Sequence, residues 1–224
     1  MTNKIDHRRH YILVFDTETT NGLDCPLLYD IGWAIVDTHG NVYRERSFIN
    51  REIFFLENEL MNTAYYANKL PLYYQRIFNG ETKVANFRTI RKIFLDDIAE
   101  YGVKEVCAHN ARFDYLSTNN TIRWLTKSKY RYFLPYGVEV WDTLKMARSV
   151  IGKMPTYRKF CEENGYTYGN NQLRFTAEVL YQFITKDTDF TEEHTGLSDV
   201  MIEKEILAYC YRQHKPMKKK LWGE

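Results

Sequence analysis

Two carboxylates close the segment YILVFDTETT (residues 11–20), in which an apolar and aromatic run leads directly into Asp16, Thr17, Glu18 and Thr19. Side chains alternate along a strand, so Asp16 and Glu18 share one face with Ile12 and Val14. Two acids about 7 Å apart against an apolar layer repel and desolvate one another, a conflict that a divalent cation removes. Hard cations such as Mg²⁺ take carboxylate oxygens and keep waters that a substrate phosphate can displace. A pair this short also arises by chance at polar strand ends, so the metal reading requires partners elsewhere in the chain.

Three further residues qualify as partners. Asp114, in HNARFD, follows the apolar run 103–108 and so lies beyond a strand's carboxyl end, where open α/β sheets bind ligands. The plain alternative is an acid in the first turn of a helix through about Leu125. Asp199 falls on one stripe with Ile202, Ile206 and Tyr209 or Cys210, the stripe that faces the sheet. No basic residue shares that stripe within one turn, and a buried unpaired carboxylate is expensive, so a metal is the better partner. His194 stands five positions before Asp199 in a Gly-containing loop; a lone histidine there is ordinarily a surface residue, but beside an inward acid it becomes a candidate base. Asp142 reads as the N-cap of a helix through about Val150.

The elements that must position these residues follow from periodicity and turns. Residues 31–36 and 42–49 alternate around the turn DTHGN (residues 37–41), so with the first strand they predict a three-stranded antiparallel meander. Residues 84–101 carry a helical apolar period that Gly102 ends, and the strand 103–108 returns parallel to the sheet. A short fifth strand at 139–141 and helices over 156–164, 175–185 and 199–213 complete the pattern, with a loop at 165–172. The expectation is an α/β fold with a mixed central sheet of about five strands, the antiparallel meander plus parallel strands, flanked by helices. Between 51 and 80, Tyr65, Tyr66, Tyr73 and Tyr74 interleave with Lys69 and Arg76; packing faces are favoured over a base-stacking surface because tyrosine is abundant, 18 in all.

At 224 residues, 44% of them hydrophobic, the chain suffices for one domain, residues 1–224, with a short extension over 1–10 and a basic tail over 214–224. No apolar run approaches the roughly 20 residues of a membrane span, and no signal-like stretch precedes Tyr11, so a soluble cytoplasmic protein with no membrane partner is expected. The four cysteines are scattered, which argues against a zinc cage or a disulfide framework. A net charge of +2 announces no bulk attraction to nucleic acid, so any phosphate affinity is local. The lysines at 215 and 218–220 read first as a solvated end.

The ordered set FDTETT, AHNARFD and HTGLSD resembles the three motifs of the DEDDh 3′-5′ exonucleases, a group of the ribonuclease H-like superfamily that includes proofreading epsilon subunits of DNA polymerases. The likeness spans residues 11–213. It implies two Mg²⁺ or Mn²⁺ ions, with Asp16 bridging both, Glu18 and Asp199 completing one site, Asp114 holding the other, and His194 taking the proton of the attacking water. It also implies contacts of Thr19, Thr20, Leu23, Asn110 and Phe113 with the terminal nucleotide. Residues 51–80 lack the His-Gly turn common in proofreading subunits, so a polymerase partner is not expected. The aromatic-rich insertion over 172–194 resembles stand-alone or phage-type members. The expected substrate is the 3′ end of single-stranded DNA; trimming of RNA ends is the alternative within the family, and an inactive nucleic-acid-binding module the alternative outside it. The intact acids and histidine argue against the inactive module.

Overall fold

The computed structural model describes residues 5–62, 64, 65 and 67–223; Tyr66 lies outside them. Ile12–Thr20 (β1), Leu27–Val36 (β2) and Val42–Asn50 (β3) form the antiparallel meander, with Asp16 opposite Gly32 and Glu18 opposite Asp30. Every residue of β2 is buried, as suits a strand covered on both faces. It begins four residues before the sequence expectation, because the polar Asp30 interrupts an otherwise apolar run.

Short helices follow at Arg51–Phe54 (α1), Asn58–Asn62 (α2) and Leu70–Asn79 (α3). They close a small core of Leu27, Tyr29, Ile49, Ile53, Phe54, Met61 and Tyr73. Tyr73 thus packs inward, whereas Tyr65 and Tyr74 are exposed. Lys83–Ala85 (β4) pairs parallel to β3, and Phe87–Tyr101 (α4) starts only after Asn86, whose side chain accepts from the Thr89 N–H. The sheet therefore has six strands where the sequence predicted about five, and the helix expected from residue 84 starts three residues later. A three-residue strand is too short to show alternation, and its apolar residues merge into the period of the helix behind it.

Glu105–Ala108 (β5), Arg112–Thr126 (α5), Glu139–Asp142 (β6), Thr143–Val150 (α6), Pro155–Glu163 (α7), Ala177–Thr185 (α8) and Gly196–Arg212 (α9) complete the chain. Strand order is β4-β3-β2-β1-β5-β6, with β1, β5 and β6 mutually parallel. One face of the sheet packs on α4 and α5 through Leu13, Phe15, Trp33, Ile90, Phe94 and Ile122. The other packs on α6 to α9 through Ile12, Val14, Ala34, Met146, Leu180 and Ile206. The basic tail is docked: Lys219 O accepts from Asp142 N, and Leu221 N donates to Val140 O, both at 2.8 Å, so it runs along the β6 edge. Among the described residues no helix is long and apolar enough to cross a membrane.

Candidate active site

The carboxyl ends of β1 and β5, the start of α5 and the start of α9 meet at one cavity of about 1110 Å³. Asp16, Glu18, Asp114, His194 and Asp199 all line it, together with Asn110 and Phe113. Asp16 and Glu18 leave β1 on the face that packs against α9, as alternation requires. The β1–β2 register shifts immediately after Glu18, and a bulge at that point re-aims the side chains at the strand end.

Asp114 lies in the first turn of α5 and is 2% exposed. Its Oδ1 accepts both the backbone N–H and the hydroxyl of Thr17, which fixes it to β1. Just upstream, Asn110 takes a left-handed φ of 61°, and its N–H donates to Asp142 Oδ1 at 3.0 Å. That same oxygen accepts from Leu144 N, so Asp142 is the N-cap the sequence indicated and also the anchor of the Asn110 turn.

The start of α9 crosses β2 at a contact only glycine allows. A Cβ on Gly32 would lie 2.2 Å from Leu197 N, and one on Gly196 would lie 2.5 Å from Gly32 N. The Gly196 N–H donates to buried Asp30 at 2.9 Å, and Tyr73 donates to the same carboxylate at 3.1 Å. From α3, Arg76 donates to Thr195 Oγ1 at 2.9 Å, Glu193 Oε2 at 2.6 Å and Ser198 Oγ at 3.3 Å. Lys69 donates to the Glu193 carbonyl. These bonds brace both flanks of His194, itself at φ 54°. Ligating atoms of His194, Glu18 and Asp199 lie within 4.8 Å of one another.

Burial, reinforced by mutual repulsion, sets the electrostatics. It raises Glu18 to about 10 and Asp199 to about 8. Asp114 rises to about 7 against its Thr17 hydrogen bonds. Asp16 stands well above the carboxylate range, from burial and then from the charges of Asp114 and Asp199. Burial lowers the pKa of His194, and the nearby Lys69 ammonium lowers it further. Asp16 Oδ2 and Asp199 Oδ1 are sealed from solvent with no hydrogen-bond partner among the described residues. Orphaned acceptors of this kind, converging on one cavity, fit divalent cations.

The cavity also contains a residue that the sequence reading passed over. Glu203, one turn beyond Asp199 on α9, is 2% exposed and lines the cavity. Its Oε1 accepts from the His109 N–H at 2.9 Å, while Oε2 has no hydrogen-bond partner among the described residues. The signal was available, since Asp199 and Glu203 are four apart and share a helix face. Asp30 and Arg76 were not legible, because their roles depend on contacts more than 100 residues away in sequence. Thr19, Thr20 and Leu23 do not line the cavity: Thr20 donates its hydroxyl to the Leu60 carbonyl, and Leu23 is 85% exposed.

Sheet order and crossovers are those of the ribonuclease H-like fold. Among solved structures the chain is similar to E. coli exonuclease I. The match to its zinc-bound complex with single-stranded DNA has a TM-score of 0.56 and 15% identity, covering 92% of this chain and 42% of that one. The match to its complex with a dT13 oligonucleotide has a TM-score of 0.56 at 14% identity, covering 92% and 41%. A further exonuclease I structure gives 0.53 at 14%, covering 92% and 44%. This chain therefore spans less than half the length of exonuclease I. No family model and no curated protein sequence matches it.

Proposed function

We propose that the chain is a metal-dependent 3′-5′ exonuclease acting on single-stranded DNA, with residues 1–224 working as one exonuclease domain. The observation that carries this reading is the set of carboxylate oxygens, on Asp16 and Asp199, that are sealed from solvent and have no hydrogen-bond partner among the described residues, in two acids lining one cavity with His194. Asp16, Glu18 and Asp199 would hold one ion, and Asp16 and Asp114 a second, Mg²⁺ or Mn²⁺ in each case. When bound, such ions supply positive charge for the phosphoryl oxygens and lower the pKa of a bound water.

The chain's own residues perform the remaining tasks. With its pKa lowered, His194 is neutral at pH 7 and accepts the proton of the attacking water at an imidazole nitrogen. Glu192, whose Oε2 lies 3.8 Å from His194 Nδ1, balances the imidazolium that results. The water oxygen joins the phosphorus of the terminal nucleotide as the bond from that phosphorus to the 3′ oxygen of the preceding nucleotide breaks; the 3′ oxygen takes a proton from solvent, His194 gives its proton back to solvent, and a 5′-mononucleotide is released. Asn110 and Phe113 meet the terminal nucleotide inside the cavity. Leu23, exposed just past the end of β1, and the Thr19–Thr20 backbone would meet it outside the cavity, although the Thr20 side chain is buried.

Incubation of 5′-labelled DNA and RNA oligonucleotides with Mg²⁺ or Mn²⁺ tests the reading. The expected result is a one-nucleotide ladder from the 3′ end, faster on DNA, abolished by Asp16→Ala in a protein whose circular dichroism is unchanged. Full activity in both Asp16→Ala and His194→Ala would overturn it.

A further inference from the structure

The cavity is larger than its acidic floor requires. Sites for one small ligand occupy about 300–1,000 Å³, and this one reaches about 1110 Å³. Its far wall has the opposite chemistry: Arg148, Arg158, Tyr168, Asn171 and Phe175 face the same space as the acids.

That wall is a built element, although the sequence suggested a loop. Residues 166–174 form a small hairpin, with Thr167 bridging Leu173 and Tyr168 N donating to Gln172 O at 2.8 Å. Its base is fixed to the catalytic floor, because His109 Nε2 donates to the Phe175 carbonyl at 2.8 Å and Tyr157 donates to the Arg174 carbonyl. Tyr168 is 51% exposed, with the Arg174 guanidinium 5.3 Å from its ring. Among the described residues Arg158 is held only by an exposed pair with Glu162 at 3.8 Å, a contact that a phosphate readily replaces. The Arg148 guanidinium lies 5.9 Å from the Phe175 ring.

We infer that this wall is a second subsite, which binds the nucleotides on the 5′ side of the scissile bond in single-stranded nucleic acid. Arg148 and Arg158 take internucleotide phosphates, and Tyr168 stacks on a base. The inference rests on the exonuclease reading for its direction along the strand. It adds that the preferred substrate is a chain of several nucleotides.

Two measurements decide it. In EDTA, where no hydrolysis occurs, the anisotropy of fluorescein-labelled (dT)12 reports affinity across a salt series. Arg148→Ala/Arg158→Ala is expected to bind at least about fivefold more weakly, with a salt slope smaller by about 1.4, the value for two single-strand phosphate contacts. Tyr168→Ala is expected to bind about fivefold more weakly or worse, with the slope kept. Equal dissociation constants in wild type and variants would overturn the subsite. With Mn²⁺, hydrolysis of (dT)12 is compared with that of the p-nitrophenyl ester of thymidine 5′-monophosphate, which has no upstream nucleotides. The double variant should lose about tenfold or more on the oligonucleotide relative to the ester; equal losses would also overturn the subsite. A wild type that cleaves neither substrate would overturn the exonuclease reading alone, and the anisotropy result would still judge the wall.

Discussion

Thr17 gives both its backbone N–H, at 3.0 Å, and its hydroxyl, at 2.9 Å, to a single oxygen of Asp114. The strand that carries Asp16 and Glu18 is thereby locked to the helix that carries the third acid, 97 residues later. With Oδ1 engaged twice, the rotation of the Asp114 carboxylate is set before any ion arrives.

Thr17→Val keeps the shape and the backbone donor but removes the hydroxyl. The expected result is a loss of about 1–3 kcal/mol in stability, since a buried acceptor loses a partner. Metal affinity and rate should each fall by about 10–100-fold, as is usual when a residue that orients a ligand is removed. Chemical denaturation and calorimetric Mn²⁺ titration measure the two effects. Unchanged Mn²⁺ affinity would show that Asp114 does not depend on this anchor.

Stability of the metal-free protein should fall as pH rises. Burial raises Asp114 from 3.8 to about 7, Asp199 from 3.8 to about 8 and Glu18 from 4.5 to about 10. The folded protein therefore holds protons that the unfolded chain has released, and its stability declines from about pH 4 upward through these values. Divalent ions bind the ionised acids, so the melting increment from Mg²⁺ or Mn²⁺ should be larger at pH 8 than at pH 6. At 100 times the dissociation constant it should reach about 5–10 °C. Melting curves in EDTA and in metal at both pH values check this; equal increments would argue against the acids as the binding site.

Glu203→Gln separates charge from shape. The amide oxygen can still accept from the His109 N–H, while a buried carboxyl whose ionisation is opposed by burial and by the charge of Asp114 becomes a permanently neutral amide. The metal-free protein should melt higher by about 2–4 °C, corresponding to about 1 kcal/mol in a chain of this size. Mn²⁺ affinity should fall about tenfold. Higher stability with unchanged affinity would mean that Glu203 contributes repulsion only.

What the sequence revealed about this site was governed by range. The inward facing of Asp16, Glu18 and Asp199 was legible because strand and helix periods dictate which way each side chain points; Glu18 and Asp199 are buried and Asp16 is half-buried. The N-cap at Asp142 and the stop at Gly102 were legible because capping is decided within a few residues. β4 was not, since three residues carry no period, and its pairing with β3 is decided across the sheet. The tail was read as solvated because its lysines dominate its composition, whereas its backbone pairs with β6. The brace around His194 was invisible for the same reason: Arg76 lies well over 100 residues from the groups it binds.

The crossing of Gly32 and Gly196 makes the last of these contacts testable. A methyl on Gly32 would sit 2.2 Å from Leu197 N and 2.4 Å from its Cα, both backbone atoms that cannot rotate aside. Gly32→Ala must therefore push the start of α9 off β2, and with it His194 and Asp199 away from Asp16 and Glu18. Overpacking of this kind costs about 1–3 kcal/mol or more. The control is Gly169→Ala in the hairpin turn, where a Cβ would meet nothing within 4 Å, and it should leave the denaturation midpoint nearly unchanged. If the acids bind metal as a converged set, Gly32→Ala should also lose most of the metal-induced rise in melting temperature, at a temperature where it is still folded. A folded Gly32→Ala protein with the wild-type metal response would show that the glycine crossing does not hold the two halves of the site together.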